Sequence, residues 1–171
     1  ASALIRALRA EDPEASFAFM GGDKMETAAG VAPIVHYREV AFMGIVSVVK
    51  NLGKLTRIGR QIQAAMRDFA PDVVIPVDYA DFNFRFILPY AKKKLRCPVI
   101  YYILPKLWAW RAGRIRQLRR YVDLGLSILP FETSYFSVRG LRTEYIGNPC
   151  VDAKLTYLAE HPEPVEREQM L

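Results

Sequence analysis

Cysteine and histidine are scarce in this sequence of 171 residues, with two of each. Cys97 and Cys150 are too few and too far apart for a disulfide framework or a zinc cluster, and His36 and His161 add no ligand spacing around them. The Gly21-Gly22 pair lacks the third glycine and the spacing of a dinucleotide-binding fingerprint. We therefore predict a protein of a reducing compartment that uses no metal ion, nicotinamide, flavin or other cofactor.

Long apolar runs are also missing. No uninterrupted run approaches the roughly 18 to 20 residues that cross a bilayer, so we predict no transmembrane helix and only peripheral contact with a membrane. The first ten residues are typical of the middle of a helix, with neither an initiating Met nor the architecture of a signal peptide. We accordingly expect a fragment whose natural start, including a first strand and its loop, is missing.

Acidic residues are absent from two basic segments of the chain. The sequence carries 24 Lys and Arg against 18 Asp and Glu, a formal charge of +6. Five cations and no acid lie between Lys50 and Arg67, and six cations and no acid lie between Lys106 and Arg120. Such surfaces attract nucleic acid, phosphorylated substrates or an anionic membrane surface. No recognised nucleic-acid motif accompanies the arginines, so we do not expect nucleic acid as a partner.

Hydrophobic residues make up 51% of the chain, enough to bury the core of one compact domain. Apolar segments typical of buried strands alternate with helical patterns, which predicts a doubly wound, Rossmann-like α/β domain with a parallel sheet. This domain covers residues 1–150, and the acidic segment 151–171 is interpreted as a linker toward an absent C-terminal domain. The predicted helices cover 2–10, 45–69, 82–94, 110–122 and 132–138, and the predicted strands cover 16–20, 72–78, 98–104, 124–129 and 143–146.

Asp78 ends the predicted strand 72–78. In open parallel sheets, ligands bind beyond the carboxyl ends of the strands, where a carboxylate can act as a general base. The alternative is plain structural hydrogen bonding. Asp81 is well placed as the N-cap of the next helix. Pro76 removes a hydrogen-bond donor from the strand, so we expect either a bulge or an unpaired N–H side there.

Trp108, Trp110 and Arg111 follow the predicted strand 98–104 and so lie at the same edge of the sheet. Aromatic faces pack against sugars or acyl chains, and arginine pairs with phosphate. The alternative is that the tryptophans close the top of the core while Arg111 caps a neighbouring carbonyl.

The predicted helix 45–69 carries an apolar stripe that must face the core, because helical residues advance by about 100° each. Val46 and Val49 project on another side, among cations that include Lys50 and Arg57. Exposed aliphatic residues among cations suit shallow insertion into a bilayer with anionic headgroups, to which Phe42 and Met43 could add. An ordinary solvated helix face is the alternative. The stripe consists of Ile45, Val48, Leu52, Leu55, Ile62, Met66 and Phe69.

Five motifs in order along the chain resemble the lipid-A-disaccharide synthase family. They are Val40-Ala-Phe-Met-Gly-Ile45 with the helix after it, Pro71-Asp-Val-Val with Val77-Asp-Tyr-Ala-Asp-Phe-Asn83, Pro105 to Arg111 with its Trp-Ala-Trp-Arg, Ile128-Leu-Pro-Phe-Glu132, and Tyr145-Ile-Gly-Asn-Pro149 with Val151-Asp152. The matches cover nearly the whole chain up to Asp152.

The resemblance implies a metal-independent, inverting glycosyltransferase with two Rossmann-like domains, the arrangement called GT-B. Such an enzyme joins UDP-2,3-diacylglucosamine to 2,3-diacylglucosamine 1-phosphate and releases UDP during lipid A synthesis in Gram-negative bacteria. It is cytoplasmic and peripheral on the inner membrane. This chain would be the N-terminal, acceptor-side domain and inactive by itself, and the resemblance leaves the oligomeric state open.

Residue roles follow from the same resemblance. The first aspartate of Asp-x-x-Asp-Phe-Asn, here Asp78, is expected to deprotonate the acceptor hydroxyl. Substrate-binding roles fall to Asn83, Trp108, Trp110, Arg111 and Asn148, and contact with the membrane or acyl chains to Phe42, Met43, Val46, Val49, Lys50 and Arg57.

The chain departs from the family pattern at three places. The usual Gly-Glu-x-Ser-Gly-Asp turn is not in this sequence, Leu104 replaces a frequent Ser, and Asn148 replaces a frequent His. Two other functions stay open: a GT-B transferase acting on another lipid-linked envelope sugar, and a non-catalytic domain that binds a membrane surface.

The membrane hypothesis predicts that Val46→Glu combined with Val49→Glu weakens sedimentation of the protein with anionic liposomes. The two carboxylates remove apolar contact and are repelled by the headgroups. Unchanged sedimentation would show that these valines belong to an ordinary solvated face.

Overall fold

Every strand pair in the described part of the chain is parallel. The computed structural model describes residues 1–39 and 52–161. Strand β1 (Met20–Gly21) pairs with β2 (Val35–His36), and β3 (Ile100–Tyr102), β4 (Leu124–Ser127) and β5 (Thr143–Tyr145) form a three-stranded sheet in that order. Parallel strands joined by helices confirm the predicted Rossmann-like α/β class.

The described helices alternate with these strands. They are α1 (Ser2–Glu11), α2 (Asp23–Ala29), α3 (Leu52–Phe69), α4 (residues 80–95), α5 (Ile115–Tyr121), α6 (Pro130–Ser137) and α7 (Pro149–Glu160), with short 3₁₀ turns at Tyr37–Glu39 and Ala112–Arg114. Helix α4 includes two wider π-helical stretches, Asn83–Ile87 and Ala91–Leu95. In that part of the chain, no helix is both long and apolar enough to cross a membrane.

Pro76 interrupts the predicted strand 72–78. Val74 and Val77 form isolated parallel bridges to Val99 and Tyr102, next to β3, instead of a continuous ladder. The carbonyl of Pro76 still accepts from the Tyr102 N–H at 2.9 Å. Proline has no N–H that could donate to β3, so the ladder of hydrogen bonds is broken at this residue. Of the two expectations for Pro76, the unpaired N–H side agrees with this.

The main core lies between this sheet and the helices around it. The side chains of Val99, Tyr101, Leu118 and Phe136 each have 0% of their surface exposed. A second, smaller cluster joins Ile5 of α1 to Ala28 and Ala29 of α2.

Helix α3 turns a slightly different face to the core from the predicted stripe. Ile58, Ile62 and Met66 are buried, whereas Phe69 is 41% exposed, so its assignment to the core was wrong. Phe69 is the last residue of the helix, where the chain leaves the core. Ile45 and Val48 lie outside the described residues.

Three elements were not predicted from the sequence. Helix α2 and strand β2 follow β1, and helix α7 occupies the first part of the acidic segment interpreted as a linker. The division into a domain at 1–150 and a linker at 151–171 stays a prediction.

Gly59 marks the close approach of α3 to α4. A Cβ atom added there would lie 2.4 Å from Cδ1 of Phe86, whereas one added at Gly53 of the same helix has no described atom within 4 Å. Overpacking costs about 1 to 3 kcal/mol, so Gly59→Ala should lower the melting temperature of the full-length protein by several degrees.

Gly53→Ala is the matched control for that substitution. It should leave the melting temperature unchanged or raise it slightly, because Ala favours helix over Gly by up to about 1 kcal/mol. Equal melting temperatures for the two variants would contradict the packing of α3 against α4.

Candidate active site

The carboxyl ends of three neighbouring strands meet at one edge of the sheet. Asp78 follows the bridge at Val77, the loop with Trp108 follows β3, and Glu132 lies five residues beyond the end of β4. Ligands of open parallel sheets bind at this edge. The structure therefore gathers the polar residues of three separate segments in one place.

The backbone at Asp78 and Tyr79 is left-handed, with φ of +46° and +40°. Two consecutive residues of this kind cost energy unless their surroundings hold them in place. The carbonyl of Asp78 accepts hydrogen bonds from the Tyr101 hydroxyl at 2.7 Å and from Asn83 Nδ2 at 2.6 Å. Both donors are buried and bound to each other, so the turn is fixed from beneath.

The Tyr101 hydroxyl is a hydrogen-bond donor that keeps its proton under all ordinary conditions. Burial, together with the nearby charge of Asp78, raises the pKa of its phenol well above the usual value, although the hydrogen bond from Asn83 works against the shift. The phenol therefore stays protonated and keeps donating to the Asp78 carbonyl.

The carboxylate of Asp78 is exposed and has no hydrogen bond or ion pair among residues 1–39 and 52–161. Its backbone is anchored while its side chain is free to accept a proton. An anchored backbone with an open carboxylate is the geometry that a general base needs, and the assignment of that role to Asp78 stays a prediction.

Asp81 does not cap the helix as predicted. Tyr79 occupies the N-cap position of α4 and provides no side-chain bond, whereas Asp81 Oδ1 accepts from Arg111 Nη1 at 2.7 Å and from Arg114 Nη2. Partial burial opposes ionisation, but the hydrogen bonds and charges of the two arginines outweigh it and lower the pKa of Asp81. Its carboxylate is thus committed to two cations.

A buried acid holds the loop after β3. Glu132 is fully buried, and its Oε1 accepts from Lys106 Nζ at 2.8 Å and from Trp108 Nε1 at 3.0 Å. Its Oε2 has no hydrogen-bond partner among the described atoms. The Trp108 ring also meets Phe131 edge-on at 5.1 Å. The loop is therefore fastened to the start of α6.

The two tryptophans remain accessible. Trp108 is 42% exposed and Trp110 is 62% exposed, so neither closes the core. The guanidinium of Arg111 lies 4.7 Å from the Trp110 ring centre and binds Asp81, not a backbone carbonyl. The structure therefore disagrees with the alternative in which the tryptophans close the core and Arg111 caps a carbonyl. It has exposed aromatic rings next to an arginine that is bound by Asp81.

The other predicted site residues are more dispersed. Asn148 caps α7, its Oδ1 accepting from the Cys150 N–H at 3.0 Å, and Arg57 is exposed on α3. A substrate-binding role for Asn148 stays a prediction, as does one for the buried Asn83. The remaining predicted membrane contacts, Phe42, Met43, Val46, Val49 and Lys50, lie outside the described residues.

Four residues of the site were not singled out from the sequence: Tyr101, Lys106, Arg114 and Glu132. Glu132 ends the motif Ile128-Leu-Pro-Phe-Glu132, and its place after a strand could have indicated it. Arg114 lies one helical turn beyond Arg111, a spacing that could have suggested a pair. Metal-independent chemistry stays a prediction.

Comparison with known proteins places the site in a family context. A sequence model described as lipid-A-disaccharide synthetase matches residues 1–167. The lipid-A-disaccharide synthase of Myxococcus xanthus is 41% identical over 152 residues, 89% of this chain and 39% of the relative. That of Alkalilimnicola ehrlichii is 37% identical over 149 residues, 87% of this chain and 38% of the relative.

A third relative of the same name, from Pseudomonas entomophila, is 32% identical over 151 residues, 88% of this chain and 40% of the relative. The chain thus spans about two fifths of the length of the curated relatives it matches.

Removing Lys106 should destabilise the protein by leaving Glu132 buried and uncompensated. We expect Lys106→Met to cost roughly 2 to 3 kcal/mol, somewhat less than a fully buried pair, because the lysine is partly exposed. Adding Glu132→Gln should recover at least half of that loss, since the amide oxygen can still accept from Trp108. Thermal unfolding of the full-length variants measures both effects. A double variant no more stable than Lys106→Met would contradict the pairing.

Proposed function

The chain belongs to the lipid-A-disaccharide synthase family, and from that premise we propose that it is the acceptor-side part of an inverting glycosyltransferase. The whole enzyme transfers a sugar from UDP-2,3-diacylglucosamine to 2,3-diacylglucosamine 1-phosphate, giving lipid A disaccharide 1-phosphate and UDP. A second Rossmann-like domain, completing the GT-B arrangement, binds the donor. The chain by itself is then inactive.

One observation supports this proposal most strongly. Of the three carboxylates described above at the binding edge, Asp81 and Glu132 are paired with cations, whereas Asp78 has no partner in the described part of the chain. The unpaired carboxylate stands on a turn that buried hydrogen bonds hold in place. A general base needs this combination of a fixed position and an open acceptor.

In the proposed reaction, Asp78 takes the proton of the acceptor hydroxyl as the oxygen attacks the anomeric carbon of the donor. The bond from that carbon to UDP breaks on the opposite face, and UDP leaves with the electron pair. A new glycosidic bond forms with inverted configuration. The exposed rings of Trp108 and Trp110 give the acceptor sugar or its acyl chains an apolar surface at the same edge.

We also propose that the protein works at the cytoplasmic face of the inner membrane, bound peripherally. Both substrates are acylated and must be reached at a lipid surface. Arg116, Arg119 and Arg120 of α5 are exposed and form no ion pair with described residues, which gives the domain a basic surface for anionic headgroups. Arg57 of α3 is exposed as well.

Asp78→Asn tests the base. Asn tolerates the left-handed backbone better than Ala does, so the turn should survive while the base is lost. We expect UDP release by the full-length protein, assayed with both substrates in mixed micelles, to fall by about 10² to 10⁴ in kcat. Near-normal turnover would reject Asp78 as the base.

Asp68→Asn is the matched control, because Asp68 is an exposed carboxylate at the end of α3, paired with the neighbouring Arg67. It should change turnover by less than about twofold. If folded wild-type protein releases no UDP, the reaction is wrong. Turnover with another lipid-linked acceptor would then indicate a related transferase, and none with any acceptor a membrane-binding domain.

A further inference from the structure

Two arginines converge on one carboxylate oxygen beside the proposed base. Arg111 Nη1 and Arg114 Nη2 both donate to Oδ1 of Asp81, the former at 2.7 Å. Because both donors reach the same atom, the two guanidinium groups lie within a few ångströms of each other. Two cations face a single anion, so the cluster keeps a net positive charge.

Aromatic rings hold both guanidinium groups in place. Arg111 lies over Trp110, with 4.7 Å between Cζ and the ring centre, and Arg114 lies over Phe84 at 5.0 Å. Arg111 also adopts a left-handed backbone, with φ of +56°. The arginine side chains are 46% and 26% exposed, so solvent still reaches them. The pair is therefore ordered before any ligand arrives.

The cluster adjoins the base. Asp81 lies three residues beyond Asp78, across the left-handed turn, and the charges of Asp78, Asp81 and Arg114 all act on the Tyr101 hydroxyl. Within the described part of the chain, neither arginine has an ion pair with any acid other than Asp81. A doubly charged anion bound beside Arg111 and Arg114 would compete only with the exposed carboxylate of Asp81 for the two guanidinium groups.

We propose that Arg111 and Arg114 form the binding site for the phosphate monoester of the acceptor, and that Asp81 holds them together until the phosphate replaces or joins it. The inference rests on the proposed function, which supplies an acceptor with a phosphate on its sugar. Paired guanidinium groups match the oxygens of a phosphate, and a group with two negative charges outweighs a single carboxylate. Phosphate bound here would orient the acceptor relative to Asp78.

The test compares two acceptors, 2,3-diacylglucosamine with and without its 1-phosphate, in the full-length enzyme. Arg114→Gln should raise the KM for the phosphorylated acceptor by at least about tenfold, the loss expected for one charge-assisted hydrogen bond. The KM for the other acceptor and for the donor should stay within about twofold. Arg111→Gln, at the more exposed arginine, should give the same selective change.

Arg142→Gln is the matched control, since Arg142 forms an exposed ion pair with Glu144 away from this edge. It should leave all three KM values unchanged. Equal losses for both acceptors would overturn the inference, and so would a selective rise in the donor KM, which would assign the arginines to the pyrophosphate of UDP.

A binding measurement separates this inference from the proposed function. Titration calorimetry of the full-length protein with glucosamine 1-phosphate should show binding that Arg114→Gln weakens by at least about tenfold, with little binding of glucosamine. The result needs no turnover, so it stands even if the transfer reaction is wrong. Equal binding by the wild type and Arg114→Gln would overturn the site.

Discussion

The two hydrogen bonds to the backbone carbonyl of Asp78 are the constraint on which the rest of the site depends. A left-handed turn of two non-glycine residues is costly, and it persists here because Tyr101 from β3 and Asn83 from α4 bind the same oxygen from below. Burial keeps the Tyr101 phenol protonated, so the donor is always present. The backbone is thereby occupied on its inner side, and the carboxylate is left on the outer side with no described partner. The same pair of hydrogen bonds therefore fixes the backbone of Asp78 and leaves its side chain without a described partner.

The loop after β3 is held in place by hydrogen bonds to carboxylates. Its beginning is attached to α6 through the bonds of Lys106 and Trp108 to Glu132, and its end is attached to α4 through the bond of Arg111 to Asp81. The acid of the first attachment is fully buried, whereas the ion pair of the second is exposed to solvent. A loop attached at both ends can present exposed aromatic rings without collapsing onto the core. The exposed rings of Trp108 and Trp110 are in this way carried by a loop that is held at both of its ends.

The alternation of apolar and helical segments predicted the class of fold and most of the elements around the main sheet. It failed where local patterns are weak. Strand β2 has only two paired residues, too few to give a recognisable period, and α2 has only seven residues. Helix α7 lies in a stretch whose Pro and Glu content resembles a linker, although Asn148 provides its cap. Phe69 has a helical spacing that suits the core but stands at the end of α3, where the chain turns away from it.

By itself the sequence determined that the chain forms parallel strands joined by helices and that Trp108 and Arg111 follow such a strand, because periodicity and chain order are local properties. Its motifs also identified the family. The tertiary structure decided which charged groups are neutralised and which are free. Asp81 and Asp78 are three residues apart and of the same chemical type, yet one is bound by arginines 30 and 33 residues away and the other has no described partner. Such distinctions depend on distances between segments that are remote in sequence, and these distances exist only once the strands are aligned at a common edge.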